Sequence, residues 1–538
     1  MILNNEGMKD PAWEKAGYQI MHYDRTKVEA KTKKAPKWVH FGAGNIFRAF
    51  QANIMQQLLE KGISDTGLVV CEGFDYDIIT KAYAPHDNLS ILVTLKADQT
   101  LEKQVIGSIV ESVVLDSDNT SEFARMIEIF TNPSLQMASF TITEKGYQLV
   151  NAAGAYTAAV AQDMKQGPKK PVSYIGKVVS LLYARYQAGK LPIAMVSMDN
   201  CSHNGEKLQK AVMAFAKTWE DAELVETGFV EYLSDSEKVS FPWSMIDKIT
   251  PRPDGRVEEI LKADGVEGTE PIITGMRTYV APFVNAEECE YLVIEDKFPG
   301  GRPALEKGGV MFTDRDTVEK VERMKVCTCL NPLHTALAIY GCLLDYDLIS
   351  EEMKNPVLRQ LVTRIGYSEG LPVVTDPGIL KPQKFIDEVV NLRIPNPYMP
   401  DTPQRIATDT SQKLAIRFGE TIKAYLADEK LDVKNLRMIP LVFAGWFRYL
   451  MGVDDQGKSF ELSADPMLEV MSPQMEKLKL GAVEQCEEIL KPYMENEVLF
   501  GVNLYEAGLS DLVLQYYKEL AGGKGAVAAT LKKYVSED

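Results

Sequence analysis

The sequence predicts an α/β protein whose N-terminal part alternates strands with helices and whose C-terminal part is mainly helical. A short apolar strand at 37–41 runs into a glycine turn and then into a helix. From about 90 to 200, apolar runs alternate with amphipathic helical segments, the pattern of a parallel sheet. After 319, apolar residues recur at helical spacing almost to the end. We predict an N-terminal extension at 1–36, an α/β domain at 37–315 and an α-helical domain at 316–538.

Composition and charge exclude several classes of protein. Hydrophobic residues make up 45% of the 538 residues and charged residues 25%, as in ordinary globular proteins. The net charge of −17 argues against nucleic-acid and anionic-membrane partners. The polar N-terminus predicts no signal peptide, and we see no apolar run of membrane-spanning length. Seven scattered cysteines fit a reducing compartment, so we predict a cytoplasmic protein.

The metal-ligating residues are too few and too scattered for a metal centre. Only five histidines occur, and none forms a His-x-x-x-His or Glu-x-x-His pair. Cys327 and Cys329 are the only close cysteine pair and lack a second pair. If the protein is an enzyme, we expect something other than a transition metal to polarise its substrate.

The glycine turn predicts a dinucleotide-binding site. Gly42 permits a tight turn after the strand, Gly44 lets the backbone approach a pyrophosphate, and the following helix N-terminus offers amide donors. The third glycine of the usual pattern is replaced by Phe47. Without the strand–turn–helix context, a simple tight turn would explain the two glycines equally well.

An acidic residue closes the next predicted strand, which covers 67–71. Glu72 stands where a carboxylate meets the adenosine ribose hydroxyls, and an acid there disfavours a 2′-phosphate. The cofactor prediction is therefore NAD. Asp75 and Asp77 are alternative candidates for this role, and a loop acid without function is another.

We predict strands over 104–115, 136–147 and 191–200. Polar residues lie at the ends of the last two. Ligands bind at the carboxyl ends of parallel strands. Asn200 is thus placed to hold a substrate oxygen, although Asp-Asn is also common turn chemistry.

Four polar residues of the segment 319–344 stand out as candidates for chemistry: Glu322, Lys325, Asn331 and His334. Asn331 followed by Pro332 predicts a helix start, with the asparagine as N-cap. His334 then lies in the first turn, and Lys325 lies three residues after Glu322. A lysine, an amide and a histidine near one helix start can bind and polarise a carbonyl. The alternative is that Asn331 caps, His334 packs and Lys325 is a solvated charge.

A proline-rich turn at 395–403 leads to two cations, Arg405 and Lys413. If the chain between them is close to helical, their spacing of eight residues places them on one face.

Taken together, these pieces resemble the polyol-specific long-chain dehydrogenases, the mannitol dehydrogenase family. The resemblance implies an N-terminal Rossmann-type NAD-binding domain, an α-helical C-terminal domain, an active site in the cleft between them, and metal-independent hydride transfer. It rests on seven motifs in order: HFGAGNIFRAFQA (40–52), TITEKGY (141–147), SMDN with HNG (197–205), MIDKITPR (245–252), VIEDKF with GRP (293–303), KV to LNPLH (325–334) and RIATDTSQK (405–413).

The resemblance also implies roles for individual residues. Lys325 corresponds to the general acid/base, Asn200 and Asn331 to the amides that hold the reacting oxygen, and Glu322 to the acid that links the lysine to solvent protons. The implied substrate contacts are His334, Asp247, Arg405 and Lys413. The implied cofactor contacts are Gly42, Gly44, Asn45, Ile46, Arg48, Glu72, Thr143, Glu144 and Lys145.

One feature departs from the family pattern. Five residues separate Lys325 from Asn331, where the family has four. An extra residue in a regular helix rotates the lysine by about 100°. Either a bulge absorbs the insertion or the segment is not regular helix.

The form of the motifs is most similar to family members that interconvert D-fructuronate and D-mannonate. Mannitol 2-dehydrogenase and tagaturonate reductase activities remain alternatives, and a non-catalytic NAD-binding sensor is a more remote one. The family precedent favours a monomer.

Overall fold

The computed structural model describes residues 1–536, which form two compact units. The first comprises Met1–Leu95 and Thr100–Glu319, so it includes the N-terminal 36 residues. The second comprises the short segment Lys96–Gln99 and the chain from Lys320 onward.

The core of the first unit is a six-stranded parallel sheet. The strands of this unit are β1 Tyr18–Gln19, β2 Trp38–Phe41, β3 Leu68–Glu72, β4 Ser90–Leu95, β5 Leu101–Ile106, β6 Ile109–Val114, β7 Met137–Phe140, β8 Ile193–Ser197, β9 Val239–Ser240, β10 Ser244–Asp247, β11 Ile272–Ile273, β12 Tyr279–Val280, β13 Phe283–Glu287, β14 Tyr291–Glu295 and β15 Met311–Thr313. The large sheet has the order β6-β3-β2-β7-β8-β9, with every neighbouring pair parallel. This is the strand order of the dinucleotide-binding fold, and it reverses between β2 and β7. The predicted α/β class is thus confirmed.

Helices cover this sheet, and the remaining strands form smaller sheets. The helices are α1 Ala12–Lys15, α2 Arg25–Lys34, α3 Ala52–Glu60, α4 Thr120–Thr131, α5 Thr143–Gly146, α6 Ala158–Gln166, α7 Tyr174–Gln187, α8 Asn204–Asp221, α9 Phe229–Ser234 and α10 Gly255–Ala263. The smaller sheets have the orders β1-β5-β4-β13, β10-β14-β15 and β11-β12. One apolar cluster, which includes Phe41, Ile175 and Trp219, lies on one side of the strands. A second cluster contains Trp38, Phe47 and Leu58.

The second unit is built from helices around two buried ones. Its helices, counting α11, which begins at the end of the first unit, are α11 Arg315–Met324, α12 Asn331–Leu343, α13 Ile349–Glu352, α14 Pro356–Thr363, α15 Pro382–Glu388, α16 Pro403–Ile406, α17 Glu420–Ala427, α18 Met438–Tyr449, α19 Leu468–Met475, α20 Cys486–Met494, α21 Glu497–Phe500, α22 Ser510–Leu520 and α23 Ala526–Val535. All twelve residues of α18 are buried, and α18 packs against α12 and α22. The prediction of a mainly helical C-terminal part is confirmed.

Several predicted boundaries were wrong because glycines and turns interrupt apolar runs. The strand predicted over 104–115 is two strands in different sheets, since the chain turns at Gly107 and Ser108. The strand predicted over 136–147 ends at Phe140, and 143–146 is helical.

The segment 315–343 contradicts the expectation that no apolar run reaches membrane-spanning length. By length and composition it qualifies as a candidate membrane span. In its most apolar window 83% of the residues are buried within the protein. That burial is what a core helix of a folded domain shows.

Candidate active site

The glycine turn after β2 has the geometry that the sequence predicts. Gly42 has φ +101°, and a Cβ there would lie 2.3 Å from the carbonyl oxygen of Thr141. Its N–H donates to the Cys71 carbonyl at 2.9 Å, which ties β2 to β3. A Cβ on Gly44 would meet no atom within 4 Å, so Gly44 faces open space. Only Gly42 is sterically required to be glycine, and Gly44 leaves room for a ligand.

Glu72 connects the two loops at this edge of the sheet. Its side chain accepts N–H hydrogen bonds from Ala43 (2.9 Å), Phe74 (2.9 Å) and Asp75 (3.3 Å). Burial raises the pKa of Glu72, while the three N–H donors act in the opposite direction. The carboxylate therefore shapes the glycine turn as well as the loop after β3.

A cavity of about 590 Å³ opens beside these loops. Glu72 and Asp75 both line it, whereas Asp77 lies outside and pairs with Lys81. Asp75 is also engaged, since it accepts a hydrogen bond from the Thr274 hydroxyl at 2.6 Å. Of the predicted cofactor contacts, the cavity brings together Gly42, Gly44, Glu72, Thr143 and Lys145. Its size and its mainly apolar walls with a few polar groups suit a nucleotide.

The helix after the glycine turn contains a π-helical stretch, Phe47–Gln51, before α3. Phe47, in place of the third glycine, is fully buried and stacks on the imidazole of His40, with ring centroids 4.1 Å apart. His40 in turn contacts the hydroxyls of Ser139 (2.6 Å) and Thr141 (2.8 Å). A packed aromatic pair therefore joins β2 to the following helix. A glycine at position 47 would instead have let the two elements approach more closely.

Arg48, another predicted cofactor contact, does not line the larger cavity. It is fully buried, and its guanidinium donates to the Ala281 carbonyl at 2.6 Å and to Asn45 at 2.8 Å. The buried guanidinium thus connects Asn45, at the end of the glycine turn, to the backbone at Ala281. Asn45 is engaged through the same bond, while Ile46 lines a second cavity.

This second cavity, of about 300 Å³, contains Asn200. It shares Thr141 and Thr143 with the larger cavity and is also lined by Glu144 and Lys248. Glu144 is paired with Lys207 at 2.7 Å. Lys248 was missed by sequence reasoning, although it lies in one of the seven motifs. Its ammonium donates to Glu290 at 2.7 Å and to the Glu287 carbonyl at 3.0 Å.

Buried polar side chains hold the loops around Asn200. Asp199 accepts N–H bonds from Ile142 (3.0 Å) and Thr143 (2.8 Å), where Thr143 has φ +65°. The amide of Asn204 donates to the Asp199 carbonyl and to Ser244, each at 3.0 Å. Since Ser244 begins β10, these bonds fix the start of the strand whose other end is Asp247, a buried residue.

In the second unit, the residues after Lys325 do not form a regular α-helix. Lys325–Cys329 form a π-helical stretch after α11, and Leu330, with φ −129°, separates this stretch from α12. A π-helical turn accommodates one additional residue, so the stretch has the form of the predicted bulge. The expected asparagine cap was wrong, because Asn331 is the first helical residue and Leu330 occupies the N-cap position without a side-chain cap.

Lys325 opens the π-helical stretch and is 5% exposed. Glu322 lies one turn earlier in α11 and is partly exposed. Residues 332–343 are buried on nearly all sides, and only His334 among them is partly exposed.

His334 lies among charged groups of the second unit. Its Nε2 lies 3.9 Å from the Asp401 carboxylate, and burial lowers the pKa of His334 to about 4, against the attraction of Asp401. Arg393, Arg405 and Arg417 act in the same direction as burial. The imidazole is thus neutral at physiological pH and can serve as a hydrogen-bond donor or acceptor.

The two predicted cations do not share a helical face. Arg405 lies in α16, whereas Lys413 follows a 3₁₀ turn, and Asp409 between them has φ +54°. Arg405 pairs with Asp401, and Lys413 donates to the carbonyls of Ile406 and Thr408. Sequence reasoning missed Arg393 and Arg417, for which residue type alone gives no signal.

Comparison with known proteins identifies the family. Residues 36–307 match the family model of the mannitol dehydrogenase Rossmann domain, and 317–521 match that of the mannitol dehydrogenase C-terminal domain. The chain is 53% identical to a D-mannonate oxidoreductase of Thermotoga maritima, with 100% of both chains covered. Among solved structures, a substrate-free D-sorbitol dehydrogenase has a TM-score of 0.79 at 25% identity and covers 98% of this chain and 100% of its own. Pseudomonas fluorescens mannitol 2-dehydrogenase, solved with NAD and D-mannitol, has a TM-score of 0.69 at 26% identity, with 100% of both chains covered. The protein belongs to the mannitol dehydrogenase family.

Proposed function

We propose that the protein is an NAD-dependent D-mannonate oxidoreductase, which interconverts D-mannonate and D-fructuronate. The observation that carries the proposal is the 53% identity to the Thermotoga maritima D-mannonate oxidoreductase over the whole of both chains. The cations around His334 agree with it, because the substrate is an anion.

The larger cavity fits NAD. The open space at Gly44 admits a pyrophosphate against the turn, and the Glu72 carboxylate lines the cavity where ribose hydroxyls need an acceptor. A carboxylate has lone pairs beyond those used by its three amide donors. Residues Gly42, Gly44, Glu72, Thr143 and Lys145 would hold the cofactor, which supplies or accepts the hydride when bound.

Lys325 is proposed as the general acid/base. In the direction of D-mannonate formation, its ammonium gives a proton to the oxygen of the C5 ketone as that oxygen gains negative charge. Asn200 and Asn331 are proposed to donate hydrogen bonds to the same oxygen, which lowers the energy of the developing alkoxide. Because Lys325 is nearly enclosed, it needs a proton path, and the partly exposed Glu322 one turn away is proposed to provide it.

His334, Asp247, Arg405 and Lys413 are proposed to orient the sugar chain. The neutral His334 suits a hydroxyl. Arg405 and Lys413 are already engaged by Asp401 and by backbone carbonyls, which keeps their side chains in one position. We further propose a cytoplasmic monomer without nucleic-acid or membrane partners, in line with the net charge of −17.

The test is NADH oxidation by the purified protein, followed by absorbance. D-Fructuronate, D-tagaturonate, D-fructose and D-xylulose would each be supplied, with and without a chelator. We expect fast turnover with D-fructuronate that the chelator does not affect. A preference for D-fructose would indicate a mannitol 2-dehydrogenase, and a preference for D-tagaturonate a tagaturonate reductase. NADH binding without turnover of any substrate would indicate a sensor, and loss of activity with the chelator would contradict the lysine mechanism.

Replacing Glu72 by glutamine is expected to weaken NADH binding by about 10- to 100-fold, the loss of one or two hydrogen bonds to a charged acceptor. The new amide group also places N–H donors against those of Ala43 and Phe74, which disturbs the glycine turn. Titration of NADH fluorescence measures the Kd. Asp77→Asn, outside the cavity, is the matched control and should leave the Kd unchanged. An unchanged Kd for Glu72→Gln would remove Glu72 from the cofactor site.

A further inference from the structure

Around His334, the second unit collects more positive than negative charge. Arg393, Arg405 and Arg417 act on the imidazole as cations, and Asp401 acts on it as a carboxylate. The protein as a whole carries a net charge of −17, so a local excess of cations runs against the general surface charge. Such an excess favours an anionic ligand.

Two of the nearby cations already have protein partners. Arg405 donates to the Asp401 carboxylate, and Lys413 donates to two backbone carbonyls. Both cations are thus already engaged by protein groups.

Arg417 differs from them in its surroundings. Its Nη1 donates to the Thr335 hydroxyl at 2.5 Å, and its side chain forms no ion pair with any carboxylate among residues 1–536. Burial alone lowers the pKa of Arg417 to about 10. A mostly buried guanidinium without a counter-ion is costly, and a bound carboxylate would offset that cost.

Thr335 fixes Arg417 next to the residues proposed to handle the substrate. The Thr335 hydroxyl donates to the Asn331 carbonyl at 2.9 Å, and Thr335 directly follows His334 in the first turns of α12. The N–H of Arg417 donates to the Lys413 carbonyl at 2.9 Å, so Lys413 lies one turn before it. Arg417 thus joins Asn331, His334 and Lys413 in one part of the second unit.

We propose that Arg417 determines specificity for sugar acids by binding the substrate carboxylate. A planar guanidinium with several N–H donors can bind both carboxylate oxygens at once. The inference rests on the proposed function and deepens it, because it assigns the substrate's charge to a residue outside the seven motifs.

The test compares a charged substrate with a neutral one in the variant Arg417→Gln. Glutamine can still donate to Thr335 but carries no charge. We expect kcat/KM for D-fructuronate to fall by about 100-fold, mainly through KM, since removing one partner of a charged hydrogen-bonded pair costs several kcal/mol. With D-fructose, kcat/KM should change by less than about 3-fold. Arg417→Lys should recover part of the D-fructuronate activity. Arg359→Gln, which removes an exposed arginine bonded to Asn391, is the control and should match the wild type.

Equal losses on both substrates would overturn the proposal and assign Arg417 a structural role through Thr335. Unchanged activity on D-fructuronate would overturn it as well. If the glutamine variant fails to fold, the lysine variant answers the same question, because a carboxylate role predicts a loss confined to the anionic substrate.

If the wild type does not turn over D-fructuronate, the proposed function fails, and thermal melting then decides the inference separately. D-Mannonate, with D-mannitol as its neutral counterpart, should raise the Tm of the wild type and not that of Arg417→Gln. Equal stabilisation of both proteins by D-mannonate, or of neither, would overturn it.

Discussion

Replacing Lys325 by alanine is expected to lower kcat by about a thousandfold or more, the upper part of the range for loss of a general acid/base. The side chain is 5% exposed at the start of a π-helical stretch, so bulk solvent has little access to take over its proton transfer. NADH binding should stay nearly normal, since the proposed cofactor residues lie in the other unit. Steady-state kinetics and NADH fluorescence titration measure the two quantities.

A second variant separates chemistry from packing. Lys325→Met keeps most of the volume of the aliphatic chain and should be as inactive as the alanine variant, with a Tm close to that of the wild type. Arg323→Ala is the control. Arg323 is an exposed residue of α11 that pairs with Glu420, and its replacement should leave the activity unchanged. Near-normal turnover by Lys325→Met would refute the acid/base assignment.

Replacing Glu369 by alanine is expected to lower the Tm by on the order of 10 °C. Glu369 is buried, and its carboxylate accepts hydrogen bonds from the N–H groups of Arg437 (2.6 Å), Met438 (2.6 Å) and Ile439 (2.9 Å). These are the first amides of α18, the fully buried helix of the second unit. Each amide left unsatisfied costs about 1–3 kcal/mol. Calorimetry of Glu369→Ala and of Glu369→Gln measures the decrease in Tm.

The same residue predicts a pH dependence of stability. Burial raises the pKa of Glu369 from its ordinary value of 4.5 to about 7. Between those values the folded protein holds a proton that the unfolded chain has lost, so the contribution of Glu369 falls as the pH rises from 4.5 to 7. The Tm difference between the wild type and Glu369→Gln should therefore be larger at pH 5 than at pH 7.5. A difference that grows with pH would show that the three amide donors outweigh burial.

Local sequence predicted the features that depend on backbone geometry and on periodicity. Gly42 was recognisable because few other residues adopt φ +101° and none fits against Thr141. Glu72 was recognisable because it ends a strand that follows the glycine-turn unit. The insertion after Lys325 was also visible, and a bulge was one of its two predicted solutions.

Other features depended on packing between distant segments. Arg48 was an implied cofactor contact, yet its guanidinium donates to the carbonyl of Ala281, more than two hundred residues away. Asn331 looked like a cap, yet α12 already begins at Asn331, and the apolar Leu330 occupies the N-cap position. Arg417 carried no signal, because its lack of a counter-ion follows from which carboxylates the fold brings near it.

The sequence by itself determined the α/β class, the dinucleotide-binding turn, the family and the identity of the candidate residues. Only the tertiary structure decided which of those side chains line a cavity, which are engaged by protein groups, and that the mostly buried Arg417 has no counter-ion among residues 1–536. The physical reason is that strand and helix preferences, turns and motifs are local properties of the chain. Burial, hydrogen-bond partners and local charge balance depend on segments that are distant in sequence and meet only in the folded protein.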